Sequence, residues 1–195
     1  HVIIASKVYF QMGQDINQHG LSRRNIMQSI EGSLRRLQTD YLDIYYLHHF
    51  DETADLEESL YACDDLVRQG KVLYLGVSNF AAWQVMKALG ISAREHLAKF
   101  VCLQPMYNLL KRQAEVELLP MALSEHLSAF PYNPLAGGLL TGKYLNDLQE
   151  GRFLSSSNAK TYQRRYEESD ATSIISRFIA FAQERGFHPV SLAIS

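Results

Sequence analysis

The stretch Leu42-Asp43-Ile44-Tyr45-Tyr46-Leu47 is apolar on both of the faces that a strand would present, and His48 follows it directly. Strands of this kind are typical of parallel sheets that are covered by helices on both sides. The stretch therefore predicts a buried strand with a polar residue at its carboxyl end, and the rest of the chain is interpreted outward from it.

An amphipathic helix precedes this strand. Apolar residues recur at spacings of four, four and three, so that Ile26, Ile30, Leu34 and Leu37 share one face. Ser22, just ahead of them, is a suitable N-cap. The pattern predicts a helix from Ser22 onward.

Short apolar runs and longer stretches of helical period alternate along the rest of the chain, with no internal repeat and no interdomain linker. Strands are predicted at 2–8, 42–47, 72–77, 100–104 and 128–132. Further helices are predicted at 55–69, 81–89, 113–125 and about 169–185, with a polar loop at 133–164 and a helix start at Pro189.

The connections decide the class of fold. Strands joined through helices cannot form hairpins, so they must run parallel with right-handed crossovers. The pattern leaves two α/β architectures, a doubly wound sheet and a (β/α) barrel. Either would form a single domain over residues 1–195.

Composition excludes several classes of protein. The chain has 195 residues, of which 47% are hydrophobic and 21% charged, as expected for a globular domain. The formal charge of -2 provides no basic field for nucleic acid. No run of roughly 18 apolar residues is present, so no membrane span is predicted. Cys63 and Cys102 are too few for a disulfide framework, which predicts a cytoplasmic protein.

The predicted strands end in residues that can donate or accept hydrogen bonds, or stack. In a parallel sheet all carboxyl ends lie on one rim, where active sites form. The sequence therefore predicts a polar pocket on that rim. The residues at the five ends are Lys7, His48, Ser78 with Asn79, Gln104, and Tyr132.

Each of these residues also has a purely structural interpretation. Lys7 could be a solvated lysine at the edge of the sheet, or a buried cation that lowers the pKa of a neighbouring acid. Ser78 and Asn79 could cap the next helix. Tyr132 could belong to the core.

A metal site at His48, His49 and Asp51 is not predicted. Adjacent residues on a strand point to opposite faces, so the two imidazoles would not share one ion. A single imidazole, His48, at the rim of an apolar pocket is the sharper interpretation.

The absence of several short motifs argues against a Rossmann dinucleotide site, a P-loop, a hydrolase nucleophile elbow and a zinc-protease site. The chain has no GxGxxG, no GxxxxGK[ST], no GxSxG and no HExxH. One glycine-rich segment, 135–143, follows the fifth predicted strand. Its small residues would let a phosphate approach backbone N–H groups, with Lys143 supplying charge; a plain loop is the alternative.

Taken together, these segments resemble the aldo-keto reductase family, most closely its bacterial and potassium-channel β-subunit-like branches. The match is ordered and covers nearly the whole chain. The segments that carry it are 3–7 (IIASK), 33–48 (SLRRLQTDYLDIYYLH), 70–80 (GKVLYLGVSNF), 104–108 (QPMYN) and 131–138 (PYNPLAGG).

The resemblance implies a (β/α)₈ TIM barrel that binds NADP(H) without a Rossmann fold and transfers hydride to an aldehyde or ketone. It implies that Lys7 and His48 belong to a catalytic tetrad of Asp, Tyr, Lys and His. It further implies a set of cofactor-binding residues. These are Ser78, Asn79 and Gln104 for the nicotinamide carboxamide, Tyr132 for stacking, Asn133, Pro134, Leu135, Ala136, Gly137 and Lys143 for the pyrophosphate, and Arg152.

The implied chemistry is consistent with these residue types. A tyrosine with a pKa near 10 is too weak an acid at neutral pH. A neighbouring lysine cation lowers that pKa, and a neutral histidine can hydrogen-bond the substrate oxygen. Asn133 stands where many relatives have serine.

The resemblance also implies that segments of the barrel are missing. The family's Asp and Tyr precede the strand that carries Lys7, where this sequence begins. Strands three to seven are expected to be present, and strands one, two and eight to be absent, since such barrels have about 250 residues. We expect the chain by itself to reduce carbonyls poorly, unless the sequence is part of a longer chain.

Two further functions stay open. One is an NADP(H)-binding regulatory or sensor module, as in the channel β-subunit relatives, and the other is a non-functional truncation product. The expected ligands are NADPH/NADP+ and a small carbonyl compound, without nucleic acid, membrane or metal. The residues predict no particular oligomeric state.

Overall fold

A parallel sheet organises the first part of the molecule. The computed structural model describes residues 2–145, 151, 153, 159–166 and 170–195. Within them five strands lie in the order β1-β2-β3-β4-β5, with every neighbouring pair parallel. The strands are β1 Ala5–Val8, β2 Leu42–Leu47, β3 Val72–Ser78, β4 Phe100–Gln104 and β5 Ser128–Ala129. The α/β prediction is confirmed, and the sheet is consistent with part of a (β/α)₈ barrel.

Helices connect the strands. They are α1 Arg23–Leu37, α2 Leu56–Arg68, α3 Ala82–Arg94, α4 Leu118–Ser124, α5 Ala159–Tyr166, α6 Ala171–Glu184 and α7 Pro189–Ile194. None of the helices in the described ranges is long and apolar enough to cross a membrane.

Helix α1 forms where the spacing of apolar residues predicts it. The Ser22 hydroxyl accepts a hydrogen bond from the Asn25 amide at 3.3 Å and caps the first turn. Ile26 and Ile30 are fully buried, whereas Leu37, which was expected on the same face, is 46% exposed. The helix ends beside it, at Gln38 in the left-handed conformation, and within the last turn Leu34 is the apolar residue that reaches the core.

Helix α3 is longer than the sequence predicts. The helix was predicted to end at residue 89, just before Gly90, but it continues to Arg94. Val85, Ala88 and Ile91 are buried on one face, and this packing continues past the glycine. A glycine inside a helix costs only about 1 kcal/mol, which that burial offsets.

The chain divides into two compact units, which are described separately. Unit 1 comprises His1–Pro105 and Glu117–Phe130. Its core lies between the sheet and the helices and includes the fully buried Tyr45, Leu47, Leu60 and Leu103.

Unit 2 comprises Met106–Val116 and Pro131–Ser195. Its smaller core consists of Ala136, Leu140, Tyr166 and Ile175. The long loop expected at 133–164 is instead partly helical, because the loop's own aromatic residues and α5 supply a local core. It contains 3₁₀ segments Ala136–Thr141 and Lys143–Leu145, followed by α5.

Two other predicted elements are shorter than expected. The helix expected at 113–125 is a 3₁₀ turn, Gln113–Glu115, and then α4, which has Pro120 in its first turn. Proline lacks the N–H that a helix interior needs, and it is tolerated in a first turn. The fifth strand ends at Ala129, and Tyr132 makes only an isolated parallel bridge to Met106.

Candidate active site

One row of residues crosses the sheet at the level of Lys7. The strand register aligns Lys7 with Tyr46, Tyr46 with Gly76, and Gly76 with Cys102. The Lys7 Nζ lies 5.2 Å from the centroid of the Tyr46 ring. The Cys102 thiol contacts the Tyr46 hydroxyl at 3.6 Å. The four residues therefore share the face of the sheet opposite the helix-packed core of unit 1.

Lys7 and His48 line the same cavity, which has a volume of about 480 Å³. His48 follows β2 directly, and its backbone amide donates to the Val8 carbonyl at 3.0 Å. Its ring meets Phe10 edge to face at a centroid distance of 4.8 Å. The two residues expected to act together are thus brought to one cavity.

Burial and charge set the protonation of this pair. Burial lowers the pKa of the Lys7 ammonium. Burial, then the Lys7 charge and then His49 lower the pKa of His48 to about 4. His48 is therefore neutral at pH 7, with one ring nitrogen able to donate a hydrogen bond and the other able to accept one.

His48 and His49 are not on opposite faces of a strand, contrary to the expectation from strand alternation. Strand β2 ends at Leu47, so both imidazoles lie beyond the pleat, and their centroids are 5.6 Å apart. Asp51 has a structural role, since its carboxylate accepts from the Leu21 amide at 2.8 Å and from Thr53. Among the residues that the structure describes, no three His, Cys, Asp or Glu side chains are grouped to hold a metal ion.

The ends of β3 and β4 meet next to His48. The Ser78 hydroxyl donates to the Gln104 carbonyl at 2.8 Å. The Asn79 amide donates to the His48 carbonyl and to the Ser78 hydroxyl, both at 3.0 Å. The Gln104 carboxamide makes no hydrogen bond to the described residues, so it is available to a ligand.

Helix capping does not account for Ser78 and Asn79. The N-cap of α3 is Ala81, whose amide donates to the Gln84 side chain at 2.8 Å. Asn79 instead adopts a left-handed backbone, with φ of 55°, that turns its side chain toward His48. The cluster is suited to holding an amide group, because it combines two carboxamides and one hydroxyl.

The second group of predicted site residues lies in unit 2. Tyr132 is half-buried, and its carbonyl accepts from the Tyr107 amide at 3.3 Å. Burial raises the pKa of the Tyr132 hydroxyl, and the Arg165 charge opposes that rise. Tyr132 is not part of the unit 2 core.

Asn133 fastens the segment that follows. Its side-chain oxygen accepts from the Gly137 amide at 2.7 Å, and its side-chain nitrogen donates to the Tyr166 hydroxyl at 2.9 Å. Its carbonyl accepts from the buried Asn108 side chain at 3.1 Å. Asn108 also donates to the Tyr166 hydroxyl, so Asn108, Asn133 and Tyr166 form one polar network.

The fit of this segment to a pyrophosphate is partial. The amides of Ala136, Gly137 and Gly138 already donate to Asn133 and to Leu135, and Pro134 has no N–H to offer. Lys143 supplies a cation, whose Nζ lies 4.9 Å from the Tyr144 ring centroid. Arg152 falls outside the described residues.

The sequence reasoning missed five residues of these two groups. The sequence analysis gave Tyr46, Gly76 and Cys102 no role in the site. Asn108 and Tyr166 were missed because their partners are distant in the sequence. The QPMYN segment at 104–108 contained a signal for one of them, because its last residue, Asn108, is polar and yet buried in the structure.

Comparison with known proteins supports the resemblance that the sequence motifs indicate. A model of the aldo/keto reductase family matches residues 1–195. An uncharacterized oxidoreductase of Bacillus subtilis (strain 168) is 41% identical over 148 residues, covering 74% of this chain and 45% of the relative. Aflatoxin B1 aldehyde reductase member 2 of Mus musculus is 40% identical over 147 residues, covering 73% of this chain and 40% of the relative.

A third relative matches the full length of the chain. The probable voltage-gated potassium channel subunit beta of Oryza sativa subsp. japonica is 34% identical over 197 residues, covering 100% of this chain and 60% of the relative. The chain thus spans roughly half the length of the curated relatives that it matches.

Proposed function

Because the chain belongs to the aldo/keto reductase family, we propose that it provides the lysine and histidine of an oxidoreductase that reduces small aldehydes or ketones with NADPH. The observation that supports this most is the cavity that Lys7 and His48 both line. The Asn79 side chain, which is bonded to Ser78, donates to the His48 carbonyl and so ties the neighbouring polar cluster to His48. A relative is named an aldehyde reductase. We assign both units to one reductase domain over residues 1–195.

Lys7 acts as a fixed positive charge. A reduction of this kind must protonate the alkoxide that develops on the substrate oxygen. A cation next to the proton donor stabilises its conjugate base and lowers the donor's pKa. Lys7 makes no hydrogen bond or ion pair with the described residues, so its ammonium protons are available to such a donor.

His48 acts as a neutral hydrogen-bond donor to the carbonyl oxygen. Its pKa of about 4 keeps the imidazole uncharged across the physiological range. A neutral donor polarises the carbonyl without transferring a proton first. The Asn79 bond to the His48 carbonyl fixes the backbone from which the ring projects.

The remaining residues hold the cofactor. We propose that Ser78, Asn79 and Gln104 bind the nicotinamide carboxamide and that Tyr132 stacks on the ring. Asn133, Pro134, Leu135, Ala136 and Gly137 would shape the segment next to the pyrophosphate, with Lys143 and Arg152 supplying charge. When bound, the nicotinamide supplies the hydride.

Cofactor binding is the first test. NADPH is titrated into the 195-residue chain, and quenching of intrinsic fluorescence gives Kd. Gln104→Ala is expected to weaken binding about tenfold, since it removes hydrogen bonds to the carboxamide. Gln113→Ala is the control, as a glutamine outside the cluster. Equal affinity in both variants would contradict the assignment.

Carbonyl reduction is the second test. We expect the chain alone to turn over near background, since no tyrosine hydroxyl of the described residues is hydrogen-bonded to Lys7. Fusing the chain to the flanking segments of the Bacillus subtilis relative should restore NADPH consumption with an aldehyde panel. Lys7→Met and His48→Asn should then abolish it. A folded, cofactor-binding fusion without turnover would overturn the reductase proposal.

A sensor role is the second candidate. The observation that favours it is the full-length match to a protein named a channel β-subunit. Such a module would bind NADPH, turn over slowly in the fusion and be retained on a partner protein. High turnover without a retained partner would exclude it.

A further inference from the structure

The Tyr46 ring is enclosed by the other three residues of its row. On one side the Lys7 Nζ lies 5.2 Å from the ring centroid. At the hydroxyl end the Cys102 thiol contacts the oxygen at 3.6 Å. Only 2% of the residue is exposed, so the ring is held in one position.

Gly76 leaves the space that the ring occupies. A Cβ atom placed on Gly76 would lie 2.5 Å from the Tyr46 Cε1 and 2.8 Å from the Cys102 Sγ. Such contacts are too short for carbon or sulfur, so any side chain at this position would displace the ring or the thiol. Gly76 has no positive φ, and the register between β3 and β4 shifts between Leu75 and Gly76. The short Cβ contacts show that the glycine is needed for space.

The ring is the favourable electrostatic contact that the structure gives Lys7. No carboxylate in the described ranges forms an ion pair with Lys7. Burial disfavours a charged ammonium. The face of an aromatic ring attracts a cation within about 6 Å of its centroid, and the attraction grows as water is excluded. The ring therefore opposes the effect of burial on Lys7.

We propose that Tyr46 is a positioning residue, whose ring holds the Lys7 ammonium in place and keeps it charged, with Gly76 and Cys102 fixing the ring. The consequence for catalysis rests on the proposed function, because a neutral or displaced Lys7 could not lower the pKa of a proton donor. The contact itself does not depend on turnover.

The test measures the charge of Lys7 directly. The 195-residue chain is labelled with acetic anhydride at a series of pH values, and mass spectrometry gives the rate at each lysine. Only the neutral amine reacts, so the rate reports the neutral fraction. Lys71 and Lys87 in the same sample are the internal references.

Two variants separate the ring from its hydroxyl. Tyr46→Phe keeps the ring and should label Lys7 at the rate of the unmodified chain. Tyr46→Leu removes the ring but keeps the site apolar. At pH values below the midpoint of the Lys7 titration, it should raise the acetylation rate of Lys7 about threefold or more. Tyr74→Leu, at a tyrosine that is 56% exposed on the adjacent strand, is the matched control and should change nothing.

Two outcomes would overturn the proposal. A folded Tyr46→Leu protein with an unchanged or slower Lys7 rate would show that the ring does not favour the charged form. A Tyr46→Phe protein that behaves like Tyr46→Leu would assign the effect to the hydroxyl instead.

A second substitution covers the case in which Tyr46→Leu does not fold. Pentafluorophenylalanine at position 46 keeps the shape of phenylalanine but removes the negative face of the ring. It should raise the Lys7 rate relative to Tyr46→Phe, and an equal rate would overturn the proposal. If the fusion is inactive but the variants show the expected labelling rates, the proposed reductase function would be wrong and the positioning role of Tyr46 would still hold.

Discussion

The two faces of the sheet in unit 1 differ in what their side chains do. On the helix-covered face, Tyr45, Leu47 and Leu75 belong to the continuous apolar core. On the opposite face, Lys7 and Tyr46 make polar and cation–ring contacts. Successive side chains of a strand point to opposite faces of the sheet. Neighbouring residues therefore serve different purposes, one packing in the core and the next contributing to the candidate site.

The largest effect is expected on the helix-covered face. Leu60 on α2 is fully buried in the core, and Leu60→Ala should lower the free energy of unfolding by about 2–5 kcal/mol. Urea denaturation followed by circular dichroism measures it. Leu73→Ala, at a leucine that is 46% exposed, is the control. Similar losses of unfolding free energy in the two variants would contradict the view that the helix-covered face provides most of the stability.

A smaller effect is expected from crowding the other face. Gly76→Ala should cost about 1–3 kcal/mol in unfolding free energy, because its Cβ would overlap Tyr46 and Cys102. Gly90→Ala is the matched control: Gly90 lies inside α3 with open space around its Cα, and alanine there should stabilise by about 0.5–1 kcal/mol. A shift of the urea midpoint in the same direction for both substitutions would contradict the tight packing of Tyr46 and Cys102 around Gly76.

The fold could be predicted largely from apolar periodicity. The run at 42–47 became β2 with the expected bounds, and the spacing after Ser22 became α1. Periodicity failed where a local signal was overridden by packing, as at Gly90, which α3 passes through. It failed also in 133–164, where a polar composition concealed α5, because that helix buries little more than Tyr166.

The candidate site was only partly predictable. Residues at strand ends could be located because parallel strands share one rim, which is why the sequence predicts Lys7, His48, Ser78 and Gln104 as candidates. Their partners could not be, since the contacts of Tyr46 depend on the register between strands that are far apart in the chain. The same holds for the Asn108 bond to Tyr166, which spans 58 residues.

A pH dependence should separate the faces further. The folded state keeps His48 neutral, with a pKa of about 4 against an ordinary value near 6.5. As the pH falls below 6.5 the unfolded chain binds the proton first, so stability is lost until the pH passes about 4. Because His48 is half-buried, the loss is expected to be only about 1–2 kcal/mol.

His48→Asn should remove that component, so the variant should lose less stability than the unmodified chain between neutral and acidic pH. His126→Asn, at an exposed histidine, is the control and should follow the unmodified chain. Urea unfolding at several pH values measures the difference. Parallel curves for all three proteins would show that His48 is not held neutral by its surroundings.

The smallest effect distinguishes two adjacent tyrosines. The Tyr45 hydroxyl is buried without a hydrogen-bond partner among the described residues, whereas the Tyr46 hydroxyl contacts Cys102. A buried, unpaired hydroxyl carries its desolvation cost into the folded state. Tyr45→Phe should therefore raise the free energy of unfolding by about 0.5–1 kcal/mol, and Tyr46→Phe should leave it unchanged or slightly lower. The urea midpoints of the two variants, measured side by side, decide it, and a loss of stability in Tyr45→Phe would mean that its hydroxyl has a partner in solution.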